Sequence, residues 1–146
     1  MKFQIAVADD DLDDQEMIKL AFQNINTAFE IIPVYNGLQL MDYILQRASY
    51  KEVKEHPDLI ILDLNMPVMD GFEVLSELHT DKKLRDLPVY VLSTSWQDFD
   101  KQKVIQLGAR GFYTKPVSIK ELNRICEEVC SLAFPDSLFG GKPNVQ

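Results

Sequence analysis

Short apolar segments alternate with amphipathic segments along this sequence, and the alternation occurs five times. The clearest apolar segment is Leu59-Ile60-Ile61-Leu62, which ends at Asp63. An uninterrupted apolar strand is typical of a parallel sheet, because helices cover both faces of such a sheet. The alternation therefore predicts an α/β fold in which helices cover both faces of a five-stranded parallel sheet.

Polar side chains follow four of the five predicted strands at the point where each strand ends. They are Asp9 and Asp10 after the first strand, Asp63 after the third, Ser93 after the fourth and Lys115 after the fifth. The carboxyl ends of parallel strands lie at one edge of a sheet, and polar chemistry gathers there. We therefore expect three carboxylates, a hydroxyl and an ammonium group to meet at this edge.

Three neighbouring carboxylates repel one another, and a divalent cation relieves that repulsion. A set of oxygen ligands with open coordination positions favours Mg²⁺. With the cation, the lysine and the hydroxyl could neutralise and position a phosphoryl group. A carboxylate is a known nucleophile in such chemistry, and Asp63 is the best placed because it ends the central strand.

The amphipathic segments predict helices with one apolar face each. In the second helix the predicted apolar face consists of Leu38, Met41, Leu45 and Ala48. Three further acids follow the first strand, namely Asp11, Asp13 and Asp14. We interpret all three as acids at the N-terminus of the first helix, where the helix dipole favours negative charge.

Charge and hydropathy exclude several classes of protein. The net charge of −8 disfavours direct binding to nucleic acid, because the phosphate backbone is also negative. No stretch approaches the roughly 20 apolar residues that a membrane span requires. The first apolar run is too short for a signal peptide, so a cytoplasmic protein is expected.

The sequence resembles the receiver domains of two-component response regulators, a flavodoxin-like group that includes the chemotaxis switch protein. Four motifs carry the resemblance, in the family's order and spacing, at residues 8–11, 62–71, 92–95 and 115–117. The resemblance implies a doubly wound sheet with strand order 2-1-3-4-5 and five helices. It covers residues 2 to about 133, so we expect a receiver domain over 1–133 and a C-terminal tail over 134–146.

The resemblance also implies how Mg²⁺ would be held. Asp10, Asp63 and the backbone carbonyl of Asn65 would be direct ligands, and Asp9 would act mainly through a coordinated water. Lys115 would bind the phosphoryl group that Asp63 accepts.

Three further residues receive roles from the same resemblance. Ser93 would be the switch hydroxyl that moves to the phosphoryl oxygens, and Phe112 matches the switch aromatic, which is often Tyr in the family. Pro116 would follow a cis peptide bond. Since Phe112 lacks a hydroxyl group, an output that needs a hydrogen bond from that ring is not expected here.

The implied function is a phosphorylation switch and not an enzyme with an external substrate. A histidine kinase or phosphotransfer protein would phosphorylate Asp63, and the altered surface would act on a downstream protein. The domain would catalyse only its own phosphorylation and a slow dephosphorylation. Residues 56–60, 84–89 and 93–95 are similar to those of stand-alone regulators paired with cyanobacterial phytochrome kinases.

Other functions remain open at this point. A hydrolase of the haloacid-dehalogenase type would need a second acid where Asn65 stands. A flavin or nucleotide binder on the same fold would need a phosphate-binding loop where Asp9, Asp10 and Asp11 would repel phosphate. A degenerate receiver would have lost residues that are all present here.

The predicted tail carries apolar residues where a free tail would be polar. Phe134, Leu138 and Phe139 are expected to dock on the chain itself or on a second subunit. In the receiver family the fourth helix, fifth strand and fifth helix form the output and dimer surface, so a homodimer is one option.

Overall fold

The computed structural model describes residues 3–53, 55–95 and 97–135. The strands are β1 (Phe3–Ala8), β2 (Phe29–Val34), β3 (Leu59–Leu62), β4 (Val89–Ser93) and β5 (Gly111–Thr114). The α-helices are α1 (Leu12–Ile25), α2 (Gly37–Ile44), α3 (Gly71–Thr80), α4 (Asp98–Gln106) and α5 (Ile119–Ala133). All strand pairs are parallel, and the order is β2-β1-β3-β4-β5. The predicted fold class, strand order and helices are therefore confirmed.

The central strand explains why its sequence is apolar without interruption. Successive side chains of a strand point to opposite faces of the sheet. Ile60 and Leu62 belong to the core beneath α2, α3 and α4, whereas Leu59 and Ile61 belong to the core beneath α1 and α5. Each face of β3 therefore requires apolar residues, because a polar side chain on either face would be buried away from water.

Side-chain caps define the helix starts at the carboxyl edge of the sheet. The Asp11 carboxylate accepts hydrogen bonds from the backbone N–H groups of Asp13 and Asp14 at the start of α1. At the start of α3, Asp70 and Glu73 form a reciprocal capping box. These caps satisfy backbone donors that have no partner within the helix, and so fix where each helix leaves the edge.

The predicted apolar face of α2 is wrong in part. Leu38 and Leu45 are 45% and 37% exposed, whereas Leu40 and Ile44 are fully buried. The helix ends at Ile44, and Ala48 lies in a separate 3₁₀ turn, so the predicted face spans more turns than the helix has. None of the helices in the described ranges has the length and apolar character needed to cross a membrane.

The C-terminal end of α5 is anchored at the amino edge of the sheet. Phe134 is only 8% exposed, and its ring lies 5.4 Å from that of Phe3 and 6.0 Å from that of Phe29. The first residue of the predicted tail therefore docks on its own chain. Leu138 and Phe139 lie outside the described residues.

The substitution Phe134→Ala should lower the free energy of unfolding by about 2–4 kcal/mol, because it opens a cavity between Phe3 and Phe29. Urea denaturation followed by circular dichroism measures the change. Leu132→Ala is the matched control, since Leu132 is 57% exposed on the same helix end. A loss no larger than that of the control would show that the aromatic cluster adds nothing to stability.

Candidate functional site

The ends of β1 and β3 place three carboxylates together. Ala8 pairs with Leu62 in the sheet, so Asp9 and Asp63 follow adjacent positions, and the Asp63 N–H donates to the Ala8 carbonyl at 3.0 Å. One oxygen from each of Asp9, Asp10 and Asp63 lies within 4.8 Å of the others. Asp9 and Asp63 are buried and Asp10 is exposed, so one side of the cluster faces solvent.

The ammonium group of Lys115 reaches this cluster from the end of β5. Its Nζ lies 2.7 Å from an Asp9 oxygen, 2.8 Å from an Asp14 oxygen and 3.2 Å from an Asp63 oxygen. The backbone N–H of Lys115 donates to the Ser93 carbonyl at 2.7 Å, which aligns the ends of β4 and β5. The structure therefore brings together side chains that follow β1, β3 and β5, as the strand-end pattern predicted, whereas Ser93 after β4 is joined to Lys115 only through its backbone carbonyl.

Burial and charge act in opposite directions on Asp9. Burial raises the pKa of this carboxyl to about 6, although hydrogen bonds from Lys115 and the Asp11 backbone lower it and the charge of Asp63 raises it further. For Lys115, burial alone would lower the pKa. Hydrogen bonds to Asp14 and Asp9 and the charge of Asp63 outweigh burial, so the pKa of Lys115 lies above its usual range.

The two predicted switch residues lie on neighbouring strands. Ser93 is fully buried at the end of β4, and its hydroxyl oxygen accepts from the Ser95 N–H at 3.4 Å. Phe112 is partly buried on β5 and packs against the core beneath α2, α3 and α4. The next residue, Tyr113, packs against the opposite core.

The loop from β3 to α3 is tightly packed and locally strained. The Asn65 N–H donates to an Asp63 oxygen at 3.4 Å, and Asn65 itself is exposed. Val68 has a φ of 70°, a left-handed conformation that β-branched residues rarely adopt. A Cβ added at Gly71 would lie 2.5 Å from the Asp63 carbonyl oxygen, so only glycine allows α3 to start this close to Asp63.

The prediction of a cis peptide bond before Pro116 is wrong, because the described part of the chain contains no cis bond. The trans form of an X–Pro bond is favoured by about 0.5–1 kcal/mol in the absence of other constraints. Lys115 reaches its three carboxylate partners from the trans backbone, so its contacts impose no cis requirement.

Gln15 on α1 is a site residue that sequence reasoning missed. Its side-chain amide donates to the carbonyl oxygens of Val7, Asp9 and Val34 at 2.8, 3.0 and 2.9 Å, and the residue is 6% exposed. This amide ties the ends of β1 and β2 to α1 directly behind the carboxylates. The signal in the sequence is its helical spacing from the buried Ile18, which places a polar residue on an apolar face.

Asp14 also differs from its interpretation as one of three equivalent N-terminal acids. Asp11 is the cap, Asp13 is exposed in the first turn, and Asp14 pairs with Lys115 across the site. A sequence pattern does not reveal this pairing, because it joins residues 101 positions apart.

The donor set suits a hard divalent cation. The ligand atoms of Asp9, Asp10 and Asp63 are all carboxylate oxygens, which Mg²⁺, Mn²⁺ and Ca²⁺ accept. Lys115 alone does not balance the charge of these three acids and Asp14. The residues therefore fit a divalent metal ion at the exposed side of the cluster.

A doubly wound parallel sheet with an acidic cluster and a lysine at its carboxyl edge is the arrangement of a receiver-type signalling domain. The chain belongs to the response regulator receiver domain family, whose sequence profile matches residues 5–127. It is therefore a receiver domain of two-component signalling, a family of switches that bind a divalent metal.

Curated and solved relatives agree with this assignment. Response regulator Rcp1 of Synechocystis sp. is 30% identical over 125 residues, which is 86% of this chain and 84% of that protein. The phosphorylated cyanobacterial phytochrome response regulator RcpA is 32% identical with a TM-score of 0.84, and the match covers 90% of this chain and 94% of RcpA. The Mn²⁺-bound form of Rcp1 is 28% identical with a TM-score of 0.82, over 94% of this chain and 96% of that one. The predicted resemblance to phytochrome-associated regulators is confirmed.

The substitution Gln15→Met should reduce the free energy of unfolding by about 1–3 kcal/mol, because it keeps the side-chain length but removes the donor that three carbonyls share. Urea denaturation gives the value. Gln23→Met on the same helix is the matched control, because the Gln23 side chain makes no such hydrogen bonds to the described residues. Equal effects of the two substitutions would contradict the role of the amide.

The affinity for Mg²⁺ should fall as the pH drops below about 6, where a proton occupies Asp9 and must leave when the metal binds. Isothermal titration calorimetry measures the affinity and the proton released. In Asp9→Asn the affinity should depend much less on pH between about pH 7 and pH 5, because the carboxyl that takes up the proton is absent. A flat affinity between about pH 7 and pH 5 in the unchanged protein would disprove the expected coupling.

Proposed function

We propose that this domain accepts a phosphoryl group on Asp63 from a histidine kinase or phosphotransfer protein, in a reaction that requires Mg²⁺. The observation that carries the proposal is the convergence of Lys115 and the acidic cluster on Asp63, with Nζ 3.2 Å from the Asp63 oxygen. A lysine beside a buried carboxylate neutralises the charge that a phosphoryl group brings to the site.

Each residue of the site has a separate role in the proposed phosphoryl transfer. An Asp63 oxygen forms a bond to phosphorus while the bond from phosphorus to the donor's histidine nitrogen breaks, and that nitrogen takes a proton from solvent. The other Asp63 oxygen is within reach of the Asn65 N–H. An N–H of Lys115 shifts its hydrogen bond from Asp63 to a phosphoryl oxygen, and the Ser93 hydroxyl donates to another phosphoryl oxygen. Product hydrolysis is slow, so the domain acts as a switch without external turnover.

The metal-binding roles follow the same division. Asp10, Asp63 and the Asn65 carbonyl would hold Mg²⁺, which screens the carboxylates and coordinates a phosphoryl oxygen when bound. Both Asp9 oxygens are already engaged, one by the Asp11 N–H at 2.9 Å and one by Lys115 at 2.7 Å. This engagement supports an indirect role for Asp9, through water. The Mn²⁺-bound form of the related Rcp1 also supports a divalent ion here.

The switch would pass from the site to the surface through Ser93 and Phe112. Ser93 is fully buried at the end of β4, and its hydroxyl would turn toward the phosphoryl group. Phe112 packs on the core beneath α4, and Val104 is the one buried residue of α4. A helix held by so few buried side chains can shift at low cost, which suits a surface that binds a downstream protein.

We place the receiver unit at residues 1–133 with a tail from 134, in the cytoplasm, with a protein and not nucleic acid as its downstream partner. The net charge of −8 supports the choice of partner. The RcpA structure represents a phosphorylated cyanobacterial phytochrome response regulator, which supports kinase input for this chain as well.

Incubation with acetyl phosphate and Mg²⁺ should add one phosphoryl group, detected by intact mass. The adduct should be absent without the metal and absent in Asp63→Asn, because the nucleophile and the charge screening are both required. Asp58→Asn is the matched control, since Asp58 lies near the other end of the same strand and should leave labelling intact. A persistent adduct in Asp63→Asn would identify a different acceptor and overturn the proposal.

A further inference from the structure

Asp14 contacts Lys115 from a different element than the other two acids. Asp9 and Asp63 follow strands and belong to the cluster that fits a metal ion, whereas Asp14 projects from the first turn of α1 and is not part of that cluster. The Lys115 ammonium lies 2.8 Å from Asp14 and 3.2 Å from Asp63. Asp14 is therefore a closer partner of Lys115 than the phosphoacceptor is.

The position of Asp14 outside the cluster matters when a divalent cation is bound. A divalent cation held by Asp10 and Asp63, with Asp9 bound through water, would take up part of the negative charge of these carboxylates and repel the Lys115 ammonium. Asp14 keeps its full charge for Lys115, because it is not a ligand in the cluster. The Lys115 side chain is 13% exposed and that of Asp14 27% exposed, so solvent screens this pair only in part.

We propose that Asp14 is a positioning residue: it keeps the Lys115 ammonium at Asp63 while a divalent cation and a phosphoryl group occupy the edge of the sheet. The proposal rests on the function proposed above and adds a residue to it. One N–H of the Lys115 ammonium would shift from Asp63 to a phosphoryl oxygen. The nitrogen itself would stay in place, because another N–H of the same ammonium remains bound to Asp14.

Asp13 provides a matched control for this role. It lies in the same first turn of α1, is exposed, and shares with Asp14 the favourable interaction with the helix dipole. Its carboxylate takes part in none of the ion pairs found among the described residues. If Asp14 acted only as an N-terminal acid, Asp13→Asn and Asp14→Asn would have the same effects.

The first experiment compares the rate of labelling by acetyl phosphate at saturating Mg²⁺. Asp14→Asn should slow the reaction by roughly five- to twentyfold, the effect of losing one partly exposed charge-assisted hydrogen bond. Asp13→Asn should react like the unchanged protein, and Asp14→Glu should recover most of the rate because it restores the carboxylate. Equal rates for Asp13→Asn and Asp14→Asn, or no recovery in Asp14→Glu, would overturn the proposal.

A double-mutant cycle tests the proposal without any phosphorylation. The unfolding equilibrium is measured for Asp14→Asn, Lys115→Met and the double variant, with and without saturating Mg²⁺. We expect the two effects to be non-additive by at least about fivefold in the equilibrium constant, and to remain so when Mg²⁺ is present. Additive effects, or coupling that disappears with Mg²⁺, would show that Asp14 does not hold Lys115 in the loaded site.

The two experiments separate the possible failures. If the unchanged protein takes no phosphoryl group but the cycle shows coupling with Mg²⁺, the proposed function fails, and Asp14 is shown to hold Lys115 in the metal-bound site alone. If labelling occurs in the unchanged protein and the cycle shows no coupling, the function stands and the role of Asp14 is wrong.

Discussion

The ion pairs of a single ammonium group hold the carboxyl edge of this sheet together. Lys115 joins β5 to Asp9 after β1, to Asp63 after β3 and to Asp14 on α1. Without a positive charge, the two buried carboxylates of Asp9 and Asp63 would repel each other. The elements on which the site depends are therefore connected through the ammonium group that, in the proposed function, would neutralise an incoming phosphoryl charge.

The fold and the edge cluster could be predicted because they follow from local patterns. Apolar runs specify buried strands, and the topology of a parallel sheet places the residues after those strands at one edge. Helical spacing indicates that Gln15 lies on the buried face of α1, but the partners of Gln15 and Asp14 could not be predicted, since they depend on the rotation of α1 over the sheet. The isomer before Pro116 was also beyond prediction from the motif, because the two forms differ by only about 1 kcal/mol before tertiary contacts act.

The helices that cover the two cores near β5 are held by different numbers of buried side chains. Neighbouring residues of β5 belong to opposite cores: Phe112 faces α4, and Tyr113 faces α5, where its hydroxyl donates to Glu128 at 2.5 Å. α5 buries a full stripe of side chains, whereas α4 buries only Val104. If the proposed rearrangement starts at Ser93, it would therefore meet less resistance towards α4 than towards α5.

The contact between Phe3 and Phe134 has a practical consequence for engineering. The two rings are 5.4 Å apart at the amino edge, the full height of the sheet away from Asp63. A short linker could join these positions and new termini could be opened in a surface loop, which is the geometry that circular permutation requires. Reporter proteins or surface tethers attached beside either ring would lie at the amino edge and leave the acidic edge uncovered.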